Sequence, residues 1–233
     1  MSQPSSVIKT IGINALVVSC QPVVDGPLDD DAIVVALALA AEAGGAAALR
    51  IEGATRVRAV KAKVGIPVIG IVKNPDEPEV YITPFIEDID ALADAGADIV
   101  AFDATQRPRK IPVNELISYG KANGLTLMAD CATLEDGAAA HALGCDIIGT
   151  TLSGYTGSGY TGGLVPTEPD LELVRAFAVR GFRVMAEGRY NRPEQARQAL
   201  DAGAWAVTVG TALTRLEVMT SWFCDALTKV SKE

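Results

Sequence analysis

Apolar and polar positions along the chain follow one phrase repeated with variations: a glycine, a short apolar run, then polar or charged residues. It begins at Gly12 (INALVVSC), Gly45 (AAALRI), Gly65 (IPVIGIV), Gly96 (ADIVAF), Gly124 (LTLMAD), Gly144 (CDIIGT), Gly181 (FRVMAE) and Gly203 (AWAVTV), eight times in all. Glycine just beyond a helix end takes the left-handed conformation with no Cβ penalty, so each phrase predicts a helix stop, a tight turn and a buried strand. Between the phrases apolar residues recur at helical spacing, as in DDDAIVVALALAAEAG (29–44), ITPFIEDIDALADAG (82–96) and PEQARQALDAG (193–203). Thr133 with Asp136, Thr167 with Asp170, and Asn191 with Glu194 around Pro193 read as helix starts. The pattern is β then α, eight times. Eight parallel strands with right-handed helical crossovers close into a (β/α)8 TIM barrel and leave no exposed edge; an open doubly wound sheet is the alternative.

Composition narrows this reading. The 233 residues contain no linker-like stretch, so the expectation is one barrel domain over 1–233. The chain is 49% hydrophobic but only 5% aromatic, as suits strands buried on both faces. A net charge of −9 argues against a nucleic-acid surface, and any anionic ligand needs a local positive pocket. Cys20, Cys131, Cys145 and Cys224 show no CxxC spacing and read as free thiols in a reducing cytoplasm. VVSC (17–20) resembles a lipoprotein cleavage box, but Lys9 is the one basic residue before it, and Pro4, Gly12 and Asn14 interrupt the segment; no secretory signal is expected. The longest apolar stretch, 32–49, is broken by Glu42 and two glycines, which argues against a membrane span.

In a barrel of this kind chemistry sits where the strands end. Those positions hold Gln21, Arg50 with Glu52, Lys73, Asp103, Asp130, Thr150 with Thr151, Glu187 with Arg189, and Gly210 with Thr211. Charged groups converging on one rim are costly unless paired or used. Lys73 ends the run GIVKN and pairs with a neighbouring acid or serves as a base. Beside Arg50 in a dry mouth, desolvation and like charge both lower its pKa, and reaching neutrality near pH 7 takes roughly 4–5 kcal/mol of environment. A neutral amine there is a base or a Schiff-base nucleophile. Glu187 is either its counter-ion or a second acid/base, and Gly188 lets backbone approach a ligand. VGTALTR (209–215) offers amides at a helix start and the guanidinium of Arg215, and loops after the seventh and eighth strands hold phosphate in many barrels.

GSGYTG (157–162) matches a dinucleotide fingerprint weakly, since Gly163, Pro166 and Pro169 follow where a helix is required; 151–167 reads instead as a long mobile loop or lid. His141 reads as structural. No cluster has metal-ligand spacing, and neither metal nor cofactor is expected.

The segments VSCQP (18–22), LRIEG (49–53), GIVK (70–73), MADC (128–131), IIGTTLSGYT (147–156), AEGRY (186–190) and AVTVGTALTRLE (206–217) together resemble the N-acetylmannosamine-6-phosphate 2-epimerase family, in order and over nearly the whole chain. The resemblance implies an isomerase interconverting N-acetylmannosamine 6-phosphate and N-acetylglucosamine 6-phosphate in sialic acid breakdown. It implies Lys73 as catalytic acid/base with Glu187 beside or opposite it. Gln21, Arg50, Asp130 and Tyr155 are then substrate-binding, and Gly188, Gly210, Thr211 and Arg215 hold the phosphate. It also implies a homodimer whose partner in chemistry is a sugar phosphate, with no nucleic acid or membrane involved. GSGYTGGLVPTE (157–168) departs from the family pattern in being longer and richer in glycine. A Schiff-base aldolase or a catalytically silent sugar-phosphate-binding barrel are the alternatives.

Overall fold

The computed structural model describes residues 6–74, 77, 79–156 and 167–228. Eight parallel strands form a closed barrel in chain order: β1 (Ala15–Cys20), β2 (Ala48–Glu52), β3 (Val68–Ile71), β4 (Ile99–Asp103), β5 (Leu127–Asp130), β6 (Ile147–Gly149), β7 (Val184–Glu187) and β8 (Ala206–Val209), with β8 pairing back onto β1. Closure removes the open-sheet alternative. The helices are α1 (Ser6–Ile11), α2 (Asp31–Ala43), α3 (Ala54–Lys61), α4 (Ile86–Asp94), α5 (Val113–Ala122), α6 (Leu134–Ala142), α7 (Leu171–Val179), α8 (Pro193–Asp201), α9 (Thr211–Thr214) and α10 (Leu216–Thr228). None is long and apolar enough to cross a membrane among the described residues.

Of the eight phrase-opening glycines, all but Gly65 have positive φ. Gly65 takes an ordinary turn and donates its N–H to Glu42 Oε1 at 2.8 Å. Thr133 and Asp136 cap α6 reciprocally, as the sequence predicts. Two other starts shift. Asp170 itself caps α7, accepting from the N–H of Leu173 at 2.9 Å. At α8 the capping acceptor is Gln195, whose Oε1 takes the N–H groups of Asn191 and Arg192, with Pro193 in the first turn.

Alternation within each strand sorts side chains into two cores. Val18, Leu49, Ile51, Val100, Phe102, Ala129 and Val207 face outward and pack under the helices. Val17, Ala48, Ile69, Ile71, Ile99, Ala101, Met128, Ile147, Met185 and Ala206 fill the barrel interior. Ile8 and Ile11 of α1 join that interior cluster, so this first helix plugs the amino-terminal end of the barrel. The glycine rhythm does not reveal it, because α1 precedes the first phrase.

Candidate active site

Following the inward-facing column of each strand toward its carboxyl end, apolar residues give way to polar ones. β1 runs Val17, Ser19, then Gln21; β2 runs Ala48, Arg50, Glu52; β3 runs Ile69, Ile71, then Lys73; β7 runs Met185, Glu187; β8 runs Ala206, Thr208, then Gly210. The change of character sits at the same level around the barrel, and there a cavity opens. Gln21, Arg50, Lys73, Tyr155, Glu187, Gly188, Gly210, Thr211 and Arg215 all line it.

Arg50 forms its floor. It lies in the middle of β2 rather than at the rim, and its side chain is 1% exposed. The guanidinium reaches across to β5 and β7: Nη1 and Nη2 donate to the two oxygens of Asp130 at 3.0 and 2.6 Å, and Nη1 also donates to Glu187 Oε2 at 2.9 Å. Burial opposes the charge of Arg50, but Asp130 and Glu187 outweigh it and hold the group cationic. A forked donor matched to a carboxylate gives this bridge a fixed geometry.

Asp130 is fully buried and does not reach the cavity lining. Both its oxygens are occupied by Arg50, and Thr151 Oγ1 donates to Oδ1 at 2.6 Å. Asp130 thus stands behind Arg50, one layer below the cavity lining. Asp103 likewise does not line the cavity; its carboxylate holds Thr105 and Arg107 within its own loop.

Lys73 follows β3 and is fixed by a small antiparallel bridge to Ile82, flanked by the hydrogen bond from Asn74 N–H to Tyr81 O at 2.8 Å. Its ammonium forms no ion pair among the described residues, so the salt-bridge reading is not what the structure holds. Burial lowers its pKa most; the cations of Arg215 and Arg50 lower it further, while Glu52 and Glu187 pull the other way. On its far side a second chamber, lined by Pro22, Glu52, Arg56 and Tyr81, shares Lys73 and Gln21 with the first.

Glu187 is pushed up to about 7, burial being the largest cause, with Arg50 opposing and Asp130 adding to it. Its backbone is locked: the N–H donates to Thr150 Oγ1 at 3.0 Å, and that hydroxyl donates to Glu187 O at 2.9 Å. Gly188 follows at φ 111°, a conformation that bars a Cβ.

The adjoining wall joins β8 to β1. Thr214 Oγ1 donates to Ser19 O at 2.8 Å, Arg215 Nε donates to Gln21 O at 3.0 Å, and Gln21 Nε2 donates to Ser19 Oγ at 2.7 Å. These ties set Arg215, Gly210 and Thr211 on one side of the cavity, with Gly188 beyond Glu187.

Ser19, Tyr81, Arg189, Tyr190 and Thr208 also line the cavity. Ser19 and Thr208 were findable from the sequence, since they share the inward parity of Val17 and Ala206. Tyr81 belongs to the connection after β3, and periodicity says nothing about such a residue. His141 lies at the exposed end of α6, stacked on Phe182 at 4.4 Å. GSGYTG and most of the suggested lid lie outside the described residues. No group of residues able to hold a metal ion occurs among the described ones.

A closed (β/α)8 barrel with titratable groups gathered in a cavity at the carboxyl ends of its strands belongs to the class of barrel enzymes. Residues 34–229 match the model of the family described as "Putative N-acetylmannosamine-6-phosphate epimerase". Relatives described as N-acetylmannosamine-6-phosphate 2-epimerases, also with the qualifier "Putative", include one from Edwardsiella ictaluri, 56% identical over 91% of this chain and 89% of its own, and one from Escherichia coli O9:H4, 54% identical over 92% of each. A solved structure of the N-acetylmannosamine-6-phosphate 2-epimerase from Clostridium perfringens is 37% identical and covers 97% of this chain and 98% of its own, with TM-score 0.88. A thiamine phosphate pyrophosphorylase from Pyrococcus furiosus, 20% identical over 88% of this chain and 90% of its own, shares the fold at TM-score 0.58. The chain belongs to the N-acetylmannosamine-6-phosphate epimerase family, and it is an isomerase of the racemase and epimerase class.

Proposed function

We propose that this chain interconverts N-acetylmannosamine 6-phosphate and N-acetylglucosamine 6-phosphate, with Lys73 removing the proton at C2. One observation carries the mechanism: an ammonium with lowered pKa and no ion pair among the described residues shares a cavity with a carboxyl whose pKa is raised. Ring opening puts C2 next to an aldehyde, and only then is its proton acidic. Neutral Lys73 takes that proton, forming an enolate-type intermediate with charge on O1. Arg50, and Glu187 in its protonated form, are the donors available to that charge. Delivery of a proton to the opposite face of C2, relayed from the Lys73 ammonium by a substrate hydroxyl or given by protonated Glu187, completes inversion, and no electrons leave the substrate.

Gln21 and Tyr155 contact the sugar in this reading, and Asp130 acts through Arg50, whose orientation it sets. Arg215, Gly210, Thr211 and Gly188 take the phosphate; local positive potential there answers the chain's overall negative charge. Proton NMR of N-acetylmannosamine 6-phosphate with the protein in deuterium oxide tests the proposal. Loss of the C2 proton signal together with a second sugar phosphate is expected, and either sugar phosphate unchanged after long incubation overturns it. Borohydride trapping of substrate on Lys73 would instead favour the Schiff-base reading.

The biological setting we propose is sialic acid breakdown in the cytoplasm, where the free buried thiols of Cys20, Cys131 and Cys145 stay reduced. A homodimer is part of the same reading. Neighbouring helices pack against one another from α2 round to α8, and there the ring is open. Leu16, which faces outward from β1, remains 36% exposed, in a groove it shares with Ala196, Leu200, Val207 and Leu213. Meanwhile α10 has no buried residue and shows Trp222, Phe223 and Leu227 to solvent. An unfilled helix position and an unseated apolar helix in one chain are complementary, so α10 of a second copy is the occupant we infer. Light scattering on Leu16→Asp should give monomer where the native chain gives dimer; a native monomer would reject the dimer.

A further inference from the structure

Arg189 has no place in the chemistry above, yet its backbone is in the left-handed region, at φ 64°. Residues with side chains stay in that region only when their surroundings hold them there. Three contacts do so. Nε donates to the carbonyl of Glu168 at 2.7 Å, Nη1 donates to the carbonyl of Ser153 at 2.6 Å, and the guanidinium lies over the ring of Tyr155, 5.1 Å from its centroid. Ser153 stands just after β6 and Glu168 just before α7, so one side chain ties both shoulders of a single connection to the end of β7. Each shoulder is anchored in turn: Ser153 Oγ donates to Asp170 Oδ2 at 2.5 Å, and Glu168 Oε2 accepts from Gln195 Nε2 at 2.6 Å.

The ring so held packs over Gly188, since Tyr155 Cε2 is 3.9 Å from where a Cβ on that glycine would stand. Both residues line the active cavity, on the side given above to the phosphate. We propose that Arg189 is a positioning residue that fixes Tyr155 against Gly188 and thereby sets affinity for the phosphate end of the substrate, leaving the proton transfer itself untouched. This rests on the assignment of that end to Gly188, Gly210, Thr211 and Arg215. A lysine keeps the charge but lacks the fork that spans two carbonyls and the flat face that stacks on a ring.

The test is steady-state kinetics with inorganic phosphate as competitive inhibitor. For Arg189→Lys we expect KM and the phosphate inhibition constant each to rise about tenfold, the size of a lost hydrogen bond plus a cation–π contact, with kcat within about twofold. Tyr155→Leu should raise the phosphate inhibition constant to the same degree, with KM rising at least as far because its sugar contact goes too, and the double variant should be no weaker than Tyr155→Leu alone. Native KM and phosphate inhibition in Arg189→Lys, or multiplied effects in the double variant, overturn the proposal. If Arg189→Lys fails to fold, Arg189→Gln takes its place under the same criteria. Arg215→Ala separates the two readings: unchanged phosphate inhibition there removes the phosphate assignment itself, whereas weakened inhibition there with native behaviour at Arg189→Lys removes only the role of Arg189.

Discussion

The two ends of this barrel are made from the same strands and differ in almost everything else. At the amino-terminal end Ile8 and Ile11 pack into the apolar interior, and the inward columns carry Val17, Ala48, Ile99, Met128 and Met185. At the carboxyl-terminal end the same columns carry Ser19, Arg50, Asp130, Glu187 and Thr208, around a cavity. Two residues further along a strand, the side chain returns to the same face one layer up. The lower layers therefore supply hydrophobic burial, and the upper layer is released from that duty and can hold charge in a low-dielectric wall. Charge there is supported from beneath rather than by water. Arg50 is the joint between the two regimes, rooted mid-strand and bonded to Asp130 and Glu187 across the interior.

The sharpest break in this comparison comes at Lys73. Replacing it with alanine should lower epimerisation by about 10²–10⁴-fold, the range for a general acid or base, with substrate binding retained. Normal C2 exchange into solvent deuterium by that variant would refute the role. At the joint, Asp130→Ala leaves Arg50 buried with one of its two carboxylates gone, at a cost of about 3–5 kcal/mol in denaturant unfolding. A loss under 1 kcal/mol would mean that the bridge is not a structural element.

The plug end should respond in stability alone. For Ile11→Ala we expect about 2–4 kcal/mol lost, with KM unchanged. A changed KM would show that the ends are not separable. Arg215→Ala should do the reverse, raising KM about tenfold or more through lost phosphate binding while the unfolding midpoint barely moves.

The mildest expectation concerns pH. With Lys73 acting neutral and Glu187 acting protonated, kcat/KM should be bell-shaped in pH, one limb lying at about 7 and set by Glu187, the other set by the lowered lysine pKa. Glu187→Gln should abolish the limb near 7. The folded pKa of Glu187 lies above its unfolded value, so its contribution to stability is full below the ordinary carboxyl range and is lost as pH rises through about 7. Unfolding midpoints between pH 5 and 8 should thus fall more steeply for the native chain than for the glutamine variant.

Much of this architecture is written locally. A glycine that ends a helix and an apolar run of strand length are both properties of a few consecutive residues, so the eight strands and their alternation with helices follow from the one-dimensional pattern, while closure of the sheet separates the barrel from an open one. The polar residue closing each run can be read in the same way, which is why Lys73, Glu187, Gly210 and Arg215 stand out in the sequence. What spacing along the chain cannot carry is which strand end meets which across the barrel. The bonds from Arg50 to residues 80 and 137 positions away arise from closure, and closure alone sets Asp130 behind Arg50. The open place in the helix ring and the hold of Arg189 on two distant carbonyls are likewise decided in three dimensions, because packing joins surfaces whose pairing no local propensity encodes.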